Sequence, residues 1–234
     1  MGQKVRPTGF RTGIMTDWQS HWYANKQDFA ELLVEDQKLR QYIKKRYRRS
    51  GISRIKIERT REKVVVYIYS ARVGMIIGKK GQEVDQLTKD LEDLAHRRIE
   101  IKTMEINRPE VDPQLVAEDI ADQLEKRASF RRTMKRAIDQ TMEAGAKGVR
   151  IQLSGRLGGA EMARQESNMA GSIPLSTLRA KVEYGFAEAS TAQGNIGIKV
   201  WINNGDYLNP EENSDAAHAQ ASKIPKKPTR QGKR

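Results

Sequence analysis

The stretch Val73-Gly74-Met75-Ile76-Ile77-Gly78-Lys79-Lys80-Gly81-Gln82-Glu83-Val84 decides how this chain is read. Two isoleucines lead into a Gly-Lys-Lys-Gly loop. Behind it Val84, Leu87, Leu91, Leu94 and Ala95 recur at three-to-four spacing, which predicts an amphipathic helix over residues 82–96. A mononucleotide-binding loop needs glycine, four residues, then Gly-Lys-Ser/Thr, so that amides wrap the phosphates and a hydroxyl meets magnesium. Here three residues separate Gly74 from Gly78, and Lys80 stands in place of the hydroxyl. The dinucleotide turn, Gly-x-Gly-x-x-Gly after a strand, fails on spacing too. Two readings remain. One is a plain surface turn. The other is a loop whose glycines let backbone approach a phosphodiester chain, with lysines to neutralise it and a helix N-terminus beyond.

The surrounding elements favour the second. Over residues 28–47 the apolar Phe29, Leu32, Leu33, Leu39, Ile43 and Tyr47 mark a helix. Its end carries Lys44, Lys45, Arg46, Arg48 and Arg49, cations suited to the negative pole of the helix dipole, and Gly51 stops it. Residues 52–58 alternate as a half-buried strand. Residues 64–69, apolar on both faces, read as a central strand, and 98–106 as a third. Helix, two strands, short helix over 72–77, glycine loop, helix, strand is the order of a type II KH domain, whose Gly-x-x-Gly loop clamps about four nucleotides. Residues 26–107 are therefore expected to form a three-stranded sheet with helices on one face.

A second α+β unit is expected over residues 108–208, with two helices on a mostly antiparallel four-stranded sheet. Asp112-Pro113 is a helix start, with Asp as N-cap and Pro at the first position. Leu115, Val116, Ile120 and Leu124 form the stripe of that helix. Phe130, Met134, Ile138 and Met142 form that of the next, which Gly145 ends. Strands are predicted at 149–154, 160–167, 178–187 and 196–203, the second weakly patterned. Residues 1–25 lack either period and read as an extended basic arm that orders against a partner. Its Trp18, Trp22 and Tyr23 suit base stacking or anchoring to a protein core. Residues 209–234 read as a disordered basic tail.

Charge identifies the class of partner. The 234 residues hold 43 Lys plus Arg against 30 Asp plus Glu, a net of +13, which calls for a polyanion such as nucleic acid. Residues 1–107 carry +9, residues 108–208 only +1, and the tail +3. The near-neutral unit nevertheless holds the densest cluster. Arg131, Arg132, Lys135 and Arg136 fall at i, i+1, i+4 and i+5, on the helix face opposite Phe130, Met134 and Ile138. Two like-charged i, i+4 pairs without an interleaved acid are unfavourable on a merely solvated face, so a phosphate-contacting surface is the preferred reading. The Gly155-Arg156-Leu157-Gly158-Gly159 stretch is a strand connection. Arg156, Arg164 and Arg179 near it either extend the RNA-facing surface or pair with Glu161 and Glu166.

Other chemistries find little footing. Absence of cysteine excludes disulfides, thiol catalysis and cysteine-ligated metals. His21, His96 and His218 stand apart without zinc-binding or nucleophile spacing. No catalytic residue, cofactor, metal or membrane span is expected, and no secretory leader is read at the start.

Five motifs in register carry a resemblance along nearly the whole chain. They are Met1-Gly2-Gln3-Lys4-Val5-Arg6-Pro7, Ile77-Gly78-Lys79-Lys80-Gly81, Phe130-Arg131-Arg132-Thr133-Met134-Lys135-Arg136, Ser154-Gly155-Arg156-Leu157-Gly158-Gly159-Ala160-Glu161 and Pro174-Leu175-Ser176-Thr177-Leu178-Arg179-Ala180. On these the chain resembles the family of the third protein of the bacterial small ribosomal subunit. The resemblance implies a non-enzymatic, cytoplasmic constituent of the subunit head, built from a type II KH domain and a family-specific α+β domain. It implies contacts with small-subunit rRNA, for which Lys4, Arg6, Arg11, Arg156, Arg164 and Arg179 are candidates, and with the tenth and fourteenth small-subunit proteins. It also implies that incoming mRNA passes Arg131, Arg132, Lys135 and Arg136, which help open its structure; a homo-oligomer is not expected. The chain departs at residues 165–173, where the family commonly has an aromatic and two arginines. The alternative is a free KH-type RNA-binding regulator or RNA chaperone.

Overall fold

In the computed structural model, which describes residues 4–60 and 63–208, the first half runs α1 (Pro7–Arg11), β1 (Ser20–His21), α2 (Phe29–Arg46), β2 (Ile52–Arg59), β3 (Lys63–Ser70), α3 (Val73–Ile77), α4 (Gln82–Ala95) and β4 (Arg98–Glu105). The second half adds α5 (Pro113–Glu125), α6 (Phe130–Glu143), β5 (Gly148–Gly155), β6 (Arg164–Gly171), β7 (Ala180–Thr191) and β8 (Gly194–Asp206). The expected tail, and His218 with it, lies outside the described residues.

The valine-rich β3 is interior because it pairs on both sides, antiparallel to β2 and parallel to β4. Alternation puts Val64, Val66 and Ile68 on one face beside Ile55, Ile57 and Ile99. That face buries Leu39 and Ile43 of α2, Ile76 of α3, and Leu87 and Leu91 of α4. The fold is α+β with the expected order of elements. Two helix stripes differ in detail. Phe29 and Leu33 are half exposed, because α2 packs against the sheet only from Asp36 onward, and Leu94 of α4 points outward at 43% exposure.

The second sheet, ordered β6-β5-β8-β7, is antiparallel throughout. Asp112 caps α5, its carboxylate accepting from the Gln114 and Leu115 amides at 3.0 and 3.2 Å, with Pro113 in the first turn. Gly185 lets α5 seat directly on β7, for a Cβ there would lie 2.1 Å from the Pro113 carbonyl oxygen. Val149, Ile151 and Leu153 of β5 meet Ile198, Val200 and Ile202 of β8 beneath α5 and α6. The predicted strand at 160–167 begins instead at Arg164. Leu157 dips into the core and Gly158 and Gly159 turn the chain at positive φ, so pairing resumes only four residues later than expected.

The arm is not simply extended. Pro7–Arg11 winds into α1, and Ser20–His21 adds a fourth, parallel strand beside β2. Arg11 organises the first of these. Its guanidinium donates to the carbonyls of Ala180 and Thr177, each at 2.7 Å, and the side chain is buried. An arm with no apolar period is thus held by polar groups: the start of the chain docks onto the Pro174–Ala180 motif of the second half. Arg11 as an rRNA contact is corrected accordingly, since its donors are spent on protein carbonyls.

Candidate nucleic-acid interface

The glycine loop joins α3 to α4 with a backbone that side chains resist. Gly78 sits at φ 69°, ψ −171°, a region open essentially only to glycine. A Cβ there would lie 2.4 Å from Glu83 Cγ, so one side of the loop is closed by the first turn of α4. Gly81, at φ 82°, is bare on its outer side: a Cβ at that position would have no neighbour within 4 Å. Between them Lys80 adopts left-handed backbone at φ 55°, and both Lys79 and Lys80 are exposed. The loop thus leaves Gly81 uncovered and both lysines exposed. The helix N-terminus contributes less than expected, because Glu83 and Asp85 in the first turn already complement its dipole and Glu83 reaches Arg46 at 3.8 Å.

Helix α6 buries Thr133, Met134, Ala137, Ile138 and Thr141, leaving Arg131, Arg132, Lys135 and Arg136 on the opposite, exposed face. The charge order along it opposes the helix dipole. Arg131 and Arg132 occupy the first turn with no acid there, while Asp139 and Glu143 come last and no cation occupies the final turn. Ser129 caps without a side-chain hydrogen bond. Four cations and the positive pole of α6 therefore add at one end, an arrangement that costs helix stability and strengthens the field offered to an anion.

Strand β6 brings a further cation to this end. Glu166 lies 3.3 Å from Arg164 and 3.7 Å from Arg131, and both guanidiniums lie over the Phe130 ring at 5.8 and 5.6 Å. Of the two acids considered for the nearby arginines, Glu166 is the one engaged with Arg164. The 165–173 stretch is mostly an edge strand, its exposed side chains uncharged. Arg156 is spent on protein carbonyls, donating to Ala160 of its own loop at 2.9 Å and to Gln193 of the β7–β8 turn at 3.0 Å. Arg179, exposed, pairs with Asp206 at 3.3 Å. Lys4 is exposed, and Arg6 lies over the Tyr184 ring at 5.7 Å. The predicted residues thus fall into separate groups: the glycine loop, the α6 end with Arg164, and arm residues gathered near the second sheet.

The arm aromatics divide as well. Trp22 donates from Nε1 to buried Asp36 at 2.9 Å, an anchor, whereas Trp18 and Tyr23 are exposed. Spacing carried no sign that an acid inside α2 would receive Trp22. His21 meets Asp17 at 3.2 Å, and His96 ends α4 in left-handed backbone. Among the described residues no cluster of three His, Asp or Glu is placed to hold a metal, and no helix is long and apolar enough to cross a membrane.

A six-element KH core with its glycine loop, joined to a second antiparallel sheet bearing a basic helix, defines a nucleic-acid-binding protein of the KH class, and the KH family model matches residues 38–111. The model described as ribosomal protein S3, C-terminal domain, matches residues 120–202. Small ribosomal subunit protein uS3 of Rhodopirellula baltica is 60% identical over 232 residues, covering 97% of this chain and 98% of that one. The protein of the same name from Alkaliphilus oremlandii is 54% identical, covering 89% and 88%. The chain belongs to the ribosomal protein S3 (uS3) family, whose members are structural ribosomal proteins and not enzymes.

Proposed function

We propose that this protein is built into the head of the small ribosomal subunit in the cytoplasm, binds small-subunit rRNA, and presents α6 to mRNA as it enters. Residues 26–107 act as the KH unit and 108–208 as the mRNA-facing unit. The observation that carries the second role is the reversed charge order of α6, with Arg131, Arg132, Lys135 and Arg136 exposed at its positive end. A solvated helix gains nothing from that order; a helix that grips phosphate does. Guanidinium and ammonium groups hold single-stranded phosphates after a duplex opens, which biases against re-pairing without nucleotide hydrolysis.

The Gly78–Gly81 loop serves as a backbone clamp on RNA. The tenth and fourteenth small-subunit proteins are the protein neighbours, and the half-exposed Phe29, Leu33 and Val34 on α2 offer apolar area to such contacts. The test uses ribosomes carrying Arg131→Ala, Arg132→Ala and Lys135→Ala together. They should slow on an mRNA duplex placed where mRNA enters and translate unstructured mRNA at the normal rate. Equal progress through the duplex would sink the mRNA role while leaving the rRNA role standing.

A further inference from the structure

Both sheets bury one face under helices and leave the other free of them, and the two helix-free faces differ in how many acids stand among their cations. On the first sheet, Lys56, Tyr67 and Lys102 share a row across β2, β3 and β4. Three of its cations are answered: Lys56 by Asp17 at 3.5 Å, and Lys63 and Lys102 by Glu100 at 2.7 and 3.5 Å, while Tyr67 donates to Glu58 at 3.1 Å. Arg54, over the Tyr69 ring at 4.5 Å, and Arg98 are not ion-paired among the described residues. Acids thus stand among the cations of that face.

The helix-free face of the second sheet has no acid in its two central rows. The register places Met169, Arg150, Trp201 and Tyr184 in one row across all four strands, and Ser167, Gln152, Lys199 and Phe186 in the next, about 6.8 Å along the strands. Tyr184 and Trp201 touch at 5.4 Å between centroids, tilted by 58°. Arg150 lies over Trp201 at 5.2 Å, and Arg6 from the arm lies over Tyr184 at 5.7 Å. Among the described residues, neither Arg150 nor Lys199 has an ion-pair partner within 4.0 Å; Glu188, one row further, is the nearest acid of this face in the register. Phe186 and Met169 are exposed at 37% and 68%. Three aromatic rings, three unneutralised cations and a thioether therefore share one sheet surface.

We propose that this face is a single-stranded RNA platform, with Trp201, Tyr184 and Phe186 stacking on bases and Arg6, Arg150 and Lys199 holding the phosphates. It is a surface separate from the glycine loop and from α6, on the side of the second sheet away from both helices. The chemistry favours nucleic acid over protein. Planar rings interleaved with unpaired cations match a polyanion with π faces, whereas a protein partner would have to bring buried carboxylates to each cation.

The test is titration of a fluorescently labelled 12-nucleotide oligouridine with the full chain. Trp201→Leu, and separately Arg150→Glu with Lys199→Glu, should each weaken binding about tenfold, the scale of losing one stacked base. Thermal midpoints and circular dichroism establish that each variant folds. If Trp201→Leu does not, the double charge reversal, at two half-buried side chains outside the hydrophobic core, decides. Photo-crosslinking of a 4-thiouridine oligomer should mark Trp201 or Tyr184 in peptides 194–206 or 180–191. The α6 triple-alanine variant must retain those crosslinks, which separates failure of this platform from failure of the mRNA role. Wild-type affinity in folded variants overturns the proposal. So does loss of a protein contact from these variants while oligouridine binding persists, which would make the face a protein interface.

Discussion

The guanidinium of Arg59 and the carboxylate of Asp36 lie 2.5 Å apart, with the side chains 4% and 0% exposed. This pair fastens the arm to the first sheet. The second Asp36 oxygen accepts from Ser20 Oγ at 3.1 Å and Trp22 Nε1 at 2.9 Å, so one buried carboxylate joins α2, β2 and the arm. Removing one member of a buried pair costs about 3–5 kcal/mol, because the other charge is left unpaired. Glu35 also holds Arg59, at 3.0 Å, which places Asp36→Asn at the lower end of that range. Urea unfolding of the full chain measures the loss. Hydrogen exchange locates it: the Ile57 amide, bonded to Gln19 at 3.0 Å, should lose protection while the central strand keeps its own. Unchanged exchange at Ile57 would show that the arm is held by other contacts.

Glu183 gives a pH-dependent handle on the junction between the halves. Burial pushes its carboxyl pKa up, Asp112 adds to the rise, and Lys181 and Arg54 oppose it. A folded-state pKa above the unfolded one means the native state binds the proton more tightly. The contribution to stability is then full below the unfolded value, about 4.3, and is lost as pH rises through the folded value. Glu183→Gln removes the cost of the buried charge and keeps an acceptor for Asn204, now 3.4 Å away. The variant should melt higher than wild type at pH 7, and the difference should vanish at pH 4. A gain independent of pH would assign the effect to packing.

Patterned positions were legible in the sequence; polar long-range ones were not. Val64 to Ile68 announced an interior strand because both faces are apolar, and Asp112-Pro113 announced α5 because capping is local chemistry. Arg11 and Asp36 announced nothing. Each is a charged residue whose partners lie far along the chain, up to 169 positions away for Arg11 and Ala180, and no spacing rule encodes such a pairing. The α6 face was visible because helical periodicity brings Arg131 and Lys135 together within five residues. The sheet register that aligns Arg150, Trp201 and Tyr184 emerges only from pairing of distant strands.

The two glycines of the clamp should respond differently to alanine. Gly78→Ala places a Cβ against Glu83 in backbone that side chains avoid, and should cost about 1–3 kcal/mol. Gly81→Ala meets open space and bears only the left-handed penalty, about 1 kcal/mol. Lys79→Asp with Lys80→Asp leaves both glycines in place, and Lys80 already occupies left-handed backbone that Asp tolerates. That variant should keep its melting temperature, while the slope of log affinity against log salt for a single-stranded oligomer falls by about 1.4, the release of two phosphate contacts. An unchanged slope would return the loop to the status of a surface turn.

Arg132 distinguishes a working face from a solvated one on α6. It sits in the first turn, four residues before Arg136, so its charge opposes both the helix dipole and its neighbour. Arg132→Glu reverses both terms and should stabilise the chain by about 0.5–1 kcal/mol at low salt. If the face only keeps the helix soluble, the gain comes free and RNA binding is unaffected. If it grips phosphate, the more stable variant binds single-stranded RNA more weakly and its ribosomes slow at mRNA duplexes. Stability and function should move in opposite directions in this one substitution, and thermal melting beside duplex-progression rates reads both. A variant that is more stable and equally active would make the reversed charge order of α6 incidental.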